Sequence, residues 1–190
     1  MPGDDWQKRA NFRLLCADMC AHPGKKLFFM GSEFGQWNEW RNQEELAWRL
    51  LEEPAHRGLQ DCVRALNHLY LATPEFYSSD CDPAGFKWVD MHNSNDSVWA
   101  FERSRGAGQE GAGVICLFNA TPVPRPSYAI AVPAARSFQK VFDSDETRFG
   151  GSGYNQQSHL DTAAEGLHGQ AHSLCVDLPP LGAIFLRGPT

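Results

Sequence analysis

No two cysteines of this 190-residue chain are separated by two residues, although there are six, at positions 16, 20, 62, 81, 116 and 175. A zinc ribbon or thioredoxin-type site needs that C-x-x-C spacing, so both are excluded. Basic excess is also absent: 17 Lys and Arg stand against 23 Asp and Glu, a formal net charge of −6. Phosphate recognition needs a basic surface, so no nucleic-acid partner is expected. No apolar run approaches the ~20 residues of a membrane helix, and no membrane partner is expected. The first nine residues mix acids and bases, unlike a signal peptide. Gly150-Gly151-Ser152-Gly153 lacks the following Lys-Ser/Thr and the strand-to-helix setting of a phosphate cradle, and reads as a loop. His159, His168 and His172 are scattered, whereas a metal needs convergent ligands. No nucleophile elbow and no internal repeat occur. Neither a cofactor nor a metal is expected.

What remains is a folded globular composition, 42% hydrophobic and 12% aromatic. The cysteines read as buried, reduced thiols, which places the protein in the cytoplasm. Asp4 is a good N-cap, with Gln7 three residues on to reach back to it. Apolar positions predict a helix from Trp6 to Ala21, stopped by Pro23-Gly24. Leu27–Met30 is a continuous apolar run, the signature of a strand covered on both faces in a parallel sheet. Residues 34–53 form a long loop with helical pieces around Glu44–Leu51. Pro54 opens a second helix, with Leu59, Cys62, Val63, Leu66, Leu69 and Tyr70 on one face, ended by Thr73-Pro74.

Near Tyr77 the helical period gives way to short alternating runs divided by Gly and Pro. Strands are predicted at Phe86–Asp90, Ser97–Arg103, Val114–Asn119, Ser127–Val132, Phe138–Phe142, His172–Leu178 and Ala183–Arg187, an antiparallel β-sandwich. Two parts follow, residues 1–77 and 78–190. The first cannot close a fold alone, because a lone parallel strand needs neighbours. Something N-terminal to it is therefore expected to be missing. Residues 1–75 are expected to be protease-sensitive and the β-domain resistant.

Five segments in order carry a family resemblance: Met1-Pro2-Gly3-Asp4-Asp5-Trp6-Gln7-Lys8; Lys25 to Trp40; Asp82-Pro83-Ala84-Gly85-Phe86-Lys87-Trp88; Phe118-Asn119-Ala120-Thr121-Pro122-Val123-Pro124-Arg125; and Leu178-Pro179-Pro180-Leu181-Gly182-Ala183. Together they resemble the C-terminal part of the bacterial 1,4-α-glucan branching enzymes, of the α-amylase superfamily. The fold class this implies is an α+β fragment. It comprises the last helix–strand–helix of a (β/α)₈ barrel, followed by the all-β antiparallel sandwich of α-amylase-type C-terminal domains. The resemblance also implies a retaining transglycosylase that turns α-1,4-glucan chains into α-1,6 branches with paired carboxylates. In the family the three catalytic carboxylates precede the Met-Pro-Gly-Asp segment, so no catalytic residue is assigned here. The implied partners are an α-glucan, glycogen or amylose, and the missing N-terminal part of the same enzyme. A non-catalytic glucan-binding module and a truncated inactive gene product are the alternatives.

Substrate contact is expected from flat rings that stack on sugars and acids that bind hydroxyls. Trp37 and Trp40 lie in the loop after Leu27–Met30, where they either line the rim of the site or pack the loop. The resemblance implies a surface glucan site at Asp4 and Trp6, against the bland roles of helix cap and core anchor. It implies another at Trp88, against a tryptophan facing the sandwich core. Glu33 reads as structural or hydrogen-bonding support, not as an acid/base. The family usually carries Asp and His where Ala47 and Arg49 stand, so contacts made by those side chains are not expected here.

Overall fold

In the computed structural model, residues 1–91, 93–106 and 113–189 are described. Helix α1 spans Asp5–Ala21 and helix α2 Pro54–Ala72. The α1 start is a complete capping box. Asp4 Oδ1 accepts from the Gln7 amide at 2.8 Å, and Gln7 Oε1 accepts from the Asp4 amide at 3.0 Å. Pro54 occupies the first turn of α2, where its missing N–H is not needed.

The strands are β1 Phe86–Asp90, β2 Val98–Arg103, β3 Val114–Asn119, β4 Arg125–Val132, β5 Ser137–Asp143, β6 His159–Asp161, β7 His172–Leu178 and β8 Gly182–Arg187. Six form one sheet in the order β1-β2-β3-β8-β5-β6; β4 and β7 form a second, and all pairings are antiparallel. Alternation sorts the side chains of the large sheet. Phe101, Val114, Cys116, Phe118 and Phe185 meet the helices, while Ala100, Ile115, Leu117, Ile184 and Leu186 meet β4 and β7. The central strand β3 is buried at every position, covered by a different layer on each face.

The change of composition near residue 77 is therefore not a boundary of the core. Leu14, Cys16, Ala17, Cys62, Val63 and Leu66 of the helices share one apolar cluster with Phe101, Phe118, Phe142 and Phe185 of the sheet. Small residues on the buried face of α1, Ala10, Ala17 and Ala21, are wholly covered. Two buried arginines bolt the layers together. Arg103 of β2 donates to Ala21 O at 2.6 Å, Phe76 O at 3.1 Å, Gly85 O at 3.3 Å and Asp80 Oδ1 at 2.9 Å. Ala21 O is one of the helix-end carbonyls that have no partner within the helix. Arg13 of α1 donates to Ser144 O at 2.8 Å and Phe149 O at 3.3 Å. With this shared core, the protease sensitivity expected of residues 1–75 narrows to the exposed stretch around Leu27–Met30.

That stretch is where structure and sequence differ most. Leu27–Met30 is not a strand, and Leu27 is 77% and Phe29 58% exposed. A parallel strand is held by hydrogen bonds to its neighbours, and among the described residues none lies beside it. The thiols also divide: Cys16, Cys20, Cys62 and Cys116 are buried, whereas Cys81 and Cys175 are exposed. Cys175 faces outward because it sits at the solvent side of the β7 alternation. Burial pushes the Cys20 thiol up to about 11 and Cys62 to about 12, which leaves them protonated and unreactive.

Asp143, at the end of β5, is 1% exposed and bonds the Asp145 amide at 2.8 Å and Lys140 Nζ at 3.3 Å. Burial still outweighs these partners and lifts its carboxyl from 3.8 to about 6. A carboxyl raised on folding binds its proton more tightly in the folded state. Its stabilisation is fully present below about pH 4 and is lost as pH rises through about 6. Urea midpoints should therefore fall between pH 5 and 7.5 by more in the wild type than in Asp143→Asn. The differential over that window should be on the order of 1–1.5 kcal/mol. Equal pH slopes in the two proteins would contradict this assignment.

Candidate functional site

The loop around the apolar run passes through positive φ at Gly31 (φ 84°) and Gly35 (φ 66°), with a single 3₁₀ turn, Ser32–Phe34, between them. Left-handed backbone favours glycine at both places. Gln36 then fixes the loop that follows. Its Nε2 donates to Asn38 O at 3.0 Å, and its Oε1 accepts from the Ala47 amide at 2.8 Å. This arrangement brings Trp37 and Trp40 into one groove of about 500 Å³, with Phe29 and Met30 on its opposite side. Trp40 meets Phe29 edge-on at 5.5 Å. Glu33 is half-buried on the 3₁₀ turn and does not line the groove.

Trp37 also closes a second, smaller cleft of about 220 Å³ against α1 and α2. Arg9 lies 5.5 Å over its ring and His56 meets it edge-on at 5.4 Å. Neither Arg9 nor His56 stands out in the sequence. His56 falls on the buried face of α2, one turn ahead of Leu59, and that spacing is the only sign of it.

The other candidates lie elsewhere. Asp4 is exposed and serves as the α1 cap. Half-buried Trp6 donates its indole N–H to Gly150 O at 3.1 Å, so it anchors the start of α1 to the β-rich part. Trp88 projects from edge strand β1 and is 42% exposed. It touches Phe86 and Phe101 edge-on and lines a cleft with Lys87, Glu102, Arg136, His168 and Gln170. The five sequence candidates thus occupy three places: the α1 start, the Trp37–Trp40 groove and the β1 edge. Only Trp37 and Trp40 share a groove.

Several buried charged groups have partners within the chain. Glu75, buried, takes Arg105 at 3.0 Å and Arg187 at 3.1 Å. Asp145 accepts from the amides of Ser152 and Tyr154. Tyr128 donates to Asp90 at 2.6 Å, and its burial pushes the phenol up to about 12. Among the described residues no cluster of His, Cys, Asp and Glu could hold a metal ion. Among the described residues no helix is long and apolar enough to cross a membrane. The surface offers exposed indole rings and an uncovered apolar run.

Comparison with known proteins shows the family of the chain. The chain is 46% identical over 187 residues to a 1,4-alpha-glucan branching enzyme of Pseudomonas aeruginosa, covering 98% of this chain and 25% of the relative. It is 48% identical to the branching enzyme of Thiobacillus denitrificans, with 98% and 25% covered, and 45% identical to that of Albidiferax ferrireducens, with 98% and 30% covered. The chain spans about a quarter of the length of the first two of these curated relatives. Residues 88–188, more than half of the chain, match the family described as "Alpha amylase, C-terminal all-beta domain". The chain belongs to the α-amylase C-terminal all-β domain family.

Proposed function

We propose that this chain is the C-terminal part of a bacterial 1,4-α-glucan branching enzyme. The observation that carries the reading is the similarity of 46–48% identity across 98% of the chain to branching enzymes about four times its length. In this reading α1, the run Leu27–Met30 and α2 are the last helix–strand–helix of a (β/α)₈ barrel, and residues 78–190 are the β-domain that follows it. The exposed apolar run supports it. Leu27, Phe29 and Met30 leave a patch that soluble proteins normally cover. A neighbouring barrel strand would supply both cover and hydrogen bonds. The partner is the preceding part of the same enzyme, which holds the catalytic carboxylates. The parent reaction breaks an α-1,4 bond through a glycosyl-enzyme intermediate and passes the chain to a 6-hydroxyl. It uses no redox cofactor, acts on α-glucan and takes place in the cytoplasm.

A transplant tests the reading. The Pseudomonas aeruginosa enzyme with its matching segment replaced by this chain should keep branching activity on amylose. The same hybrid carrying Phe29→Asp should lose it, because a charge would enter a barrel sheet covered on both faces. A soluble, folded hybrid without activity would count against the reading.

The exposed rings supply the glucan contact in this proposal, with Asp4 binding hydroxyls beside Trp6. Trp88→Ala and Trp40→Ala should each weaken retardation in glycogen gels by roughly 2–12-fold, the effect of losing one aromatic contact. Trp6→Phe keeps a ring but removes the bond to Gly150, and should lower stability more than retardation. Unchanged migration of folded Trp88→Ala and Trp40→Ala would make those rings packing residues only. A non-catalytic glucan-binding module is the second reading, favoured by the exposure of Trp88 on the β-domain itself. An inactive transplant that still binds glycogen would select it.

A further inference from the structure

We infer that the cleft beneath Trp37 is a subsite for one glucosyl unit of an α-glucan, read by Arg9 and His56; this rests on the glucan reading above. His56 is 1% exposed, and its Nδ1 lies 2.8 Å from Phe34 O. A carbonyl oxygen only accepts, so Nδ1 carries the hydrogen of that bond. The other ring nitrogen, Nε2, is buried and has no hydrogen-bond partner among the described residues. The nearest charge, Glu53 Oε2, is 3.8 Å away, too long for a hydrogen bond. Arg9 shares the cleft, and its Nε is also buried and unpaired. Buried polar atoms are nearly always bonded. Two exceptions lining one cleft, both against the Trp37 ring, mark a place prepared for a polar ligand.

The polarity of the two atoms selects the ligand. In the neutral imidazole Nε2 is a lone-pair acceptor, so its partner must donate, whereas Arg9 Nε–H requires an acceptor. A hydroxyl does both. It also fits a protonated His56 by turning round, whereas an anion fits only that form. At about 220 Å³ the cleft is below the usual range for drug-sized ligands, which suits a single sugar ring. Access runs past Trp37. The indole is 54% exposed on a bend outside any helix or strand, so it can swing out and then stack on the incoming ring. The same indole lines the groove with Trp40, so a glucan along the groove can place one residue in the cleft.

The test uses the 190-residue chain with ¹⁵N-labelled histidine, titrated with maltohexaose and followed in long-range ¹H–¹⁵N spectra. The His56 Nε2 signal should move as hydroxyl bonding begins. Arg9→Met should weaken this response at least about 10-fold, as expected for a lost charge-assisted bond. Trp37→Ala should weaken it roughly 3–10-fold, and Val123→Ala, at an exposed position away from every candidate ring, should leave it unchanged. Amide spectra of each variant confirm the fold. Retardation in glycogen gels with a silent His56 would overturn the subsite and leave the glucan reading standing. No response in either assay would remove both. A His56 response to inorganic phosphate but not to maltohexaose would make the cleft an anion site and overturn the inference, as would an unaltered response in both Arg9→Met and Trp37→Ala.

Discussion

Amylose incubated with this chain alone should keep its iodine colour. In the proposed reading the nucleophile and acid/base carboxylates belong to the part of the branching enzyme that this chain does not span. Formation of a glycosyl-enzyme intermediate depends on that nucleophile. Losing it lowers turnover by several orders of magnitude in enzymes where the effect is known. Glu33 is the carboxylate closest in sequence to the proposed barrel strand, and it stands off the groove that Trp37 and Trp40 line. The decisive comparison is therefore wild type with Glu33→Gln. Turnover that scales with the chain and disappears in Glu33→Gln would place the chemistry here and end the fragment reading.

The second large effect is structural. Arg103→Met should lower stability to urea by roughly 3–5 kcal/mol, the range seen when one partner of a buried ion pair is removed. The substitution leaves Asp80 without its cation and Ala21, Phe76 and Gly85 without a donor. The methionine fills most of the space, so the loss reports on the polar network and not on a cavity. Asp80→Asn should also be costly, because it leaves the buried Arg103 guanidinium without its counter-charge. Similar midpoints for wild type and Arg103→Met would show that the helices are held by apolar packing alone.

Most of the fold was legible because its elements carry local marks. The capping box at Asp4, the prolines at 54 and 74 and the Gly-Pro breaks between alternating runs all act over a few residues. Strand β6 escaped notice for the same reason: His159-Leu160-Asp161 is too short to alternate, and only Leu160 is buried. Long-range partners decide the rest. Leu27–Met30 and Val114–Phe118 are both unbroken apolar runs, and only the second is a strand. Val114–Phe118 has β2 and β8 on its two edges and an apolar layer on each face; Leu27–Met30 has neither. The candidate site divides in the same way. Trp37, Trp40 and Trp88 were recognisable as large rings in exposed settings. His56 and Arg9 gain meaning only when α1, the Gly31–Gly35 turn and α2 pack together. Arg103 and Arg13, the cations that join helices to sheet, are indistinguishable in sequence from surface arginines.

The strand order has a consequence for biosynthesis. Helix α1 packs on β8, which sits between β3 and β5 in the large sheet yet is made after all the other described strands. At about 5–20 residues per second, the roughly 160 residues between the end of α1 and the start of β8 take about 8–32 s to emerge from the ribosome. Through that interval Leu14, Cys16 and Ala17 have α2 and then β2 and β3 to pack against, but not β8. The nascent chain therefore presents an unfinished apolar face to whatever binds such surfaces in the cell. Loss of Gly182–Arg187 would take away β8 and leave that face open for good.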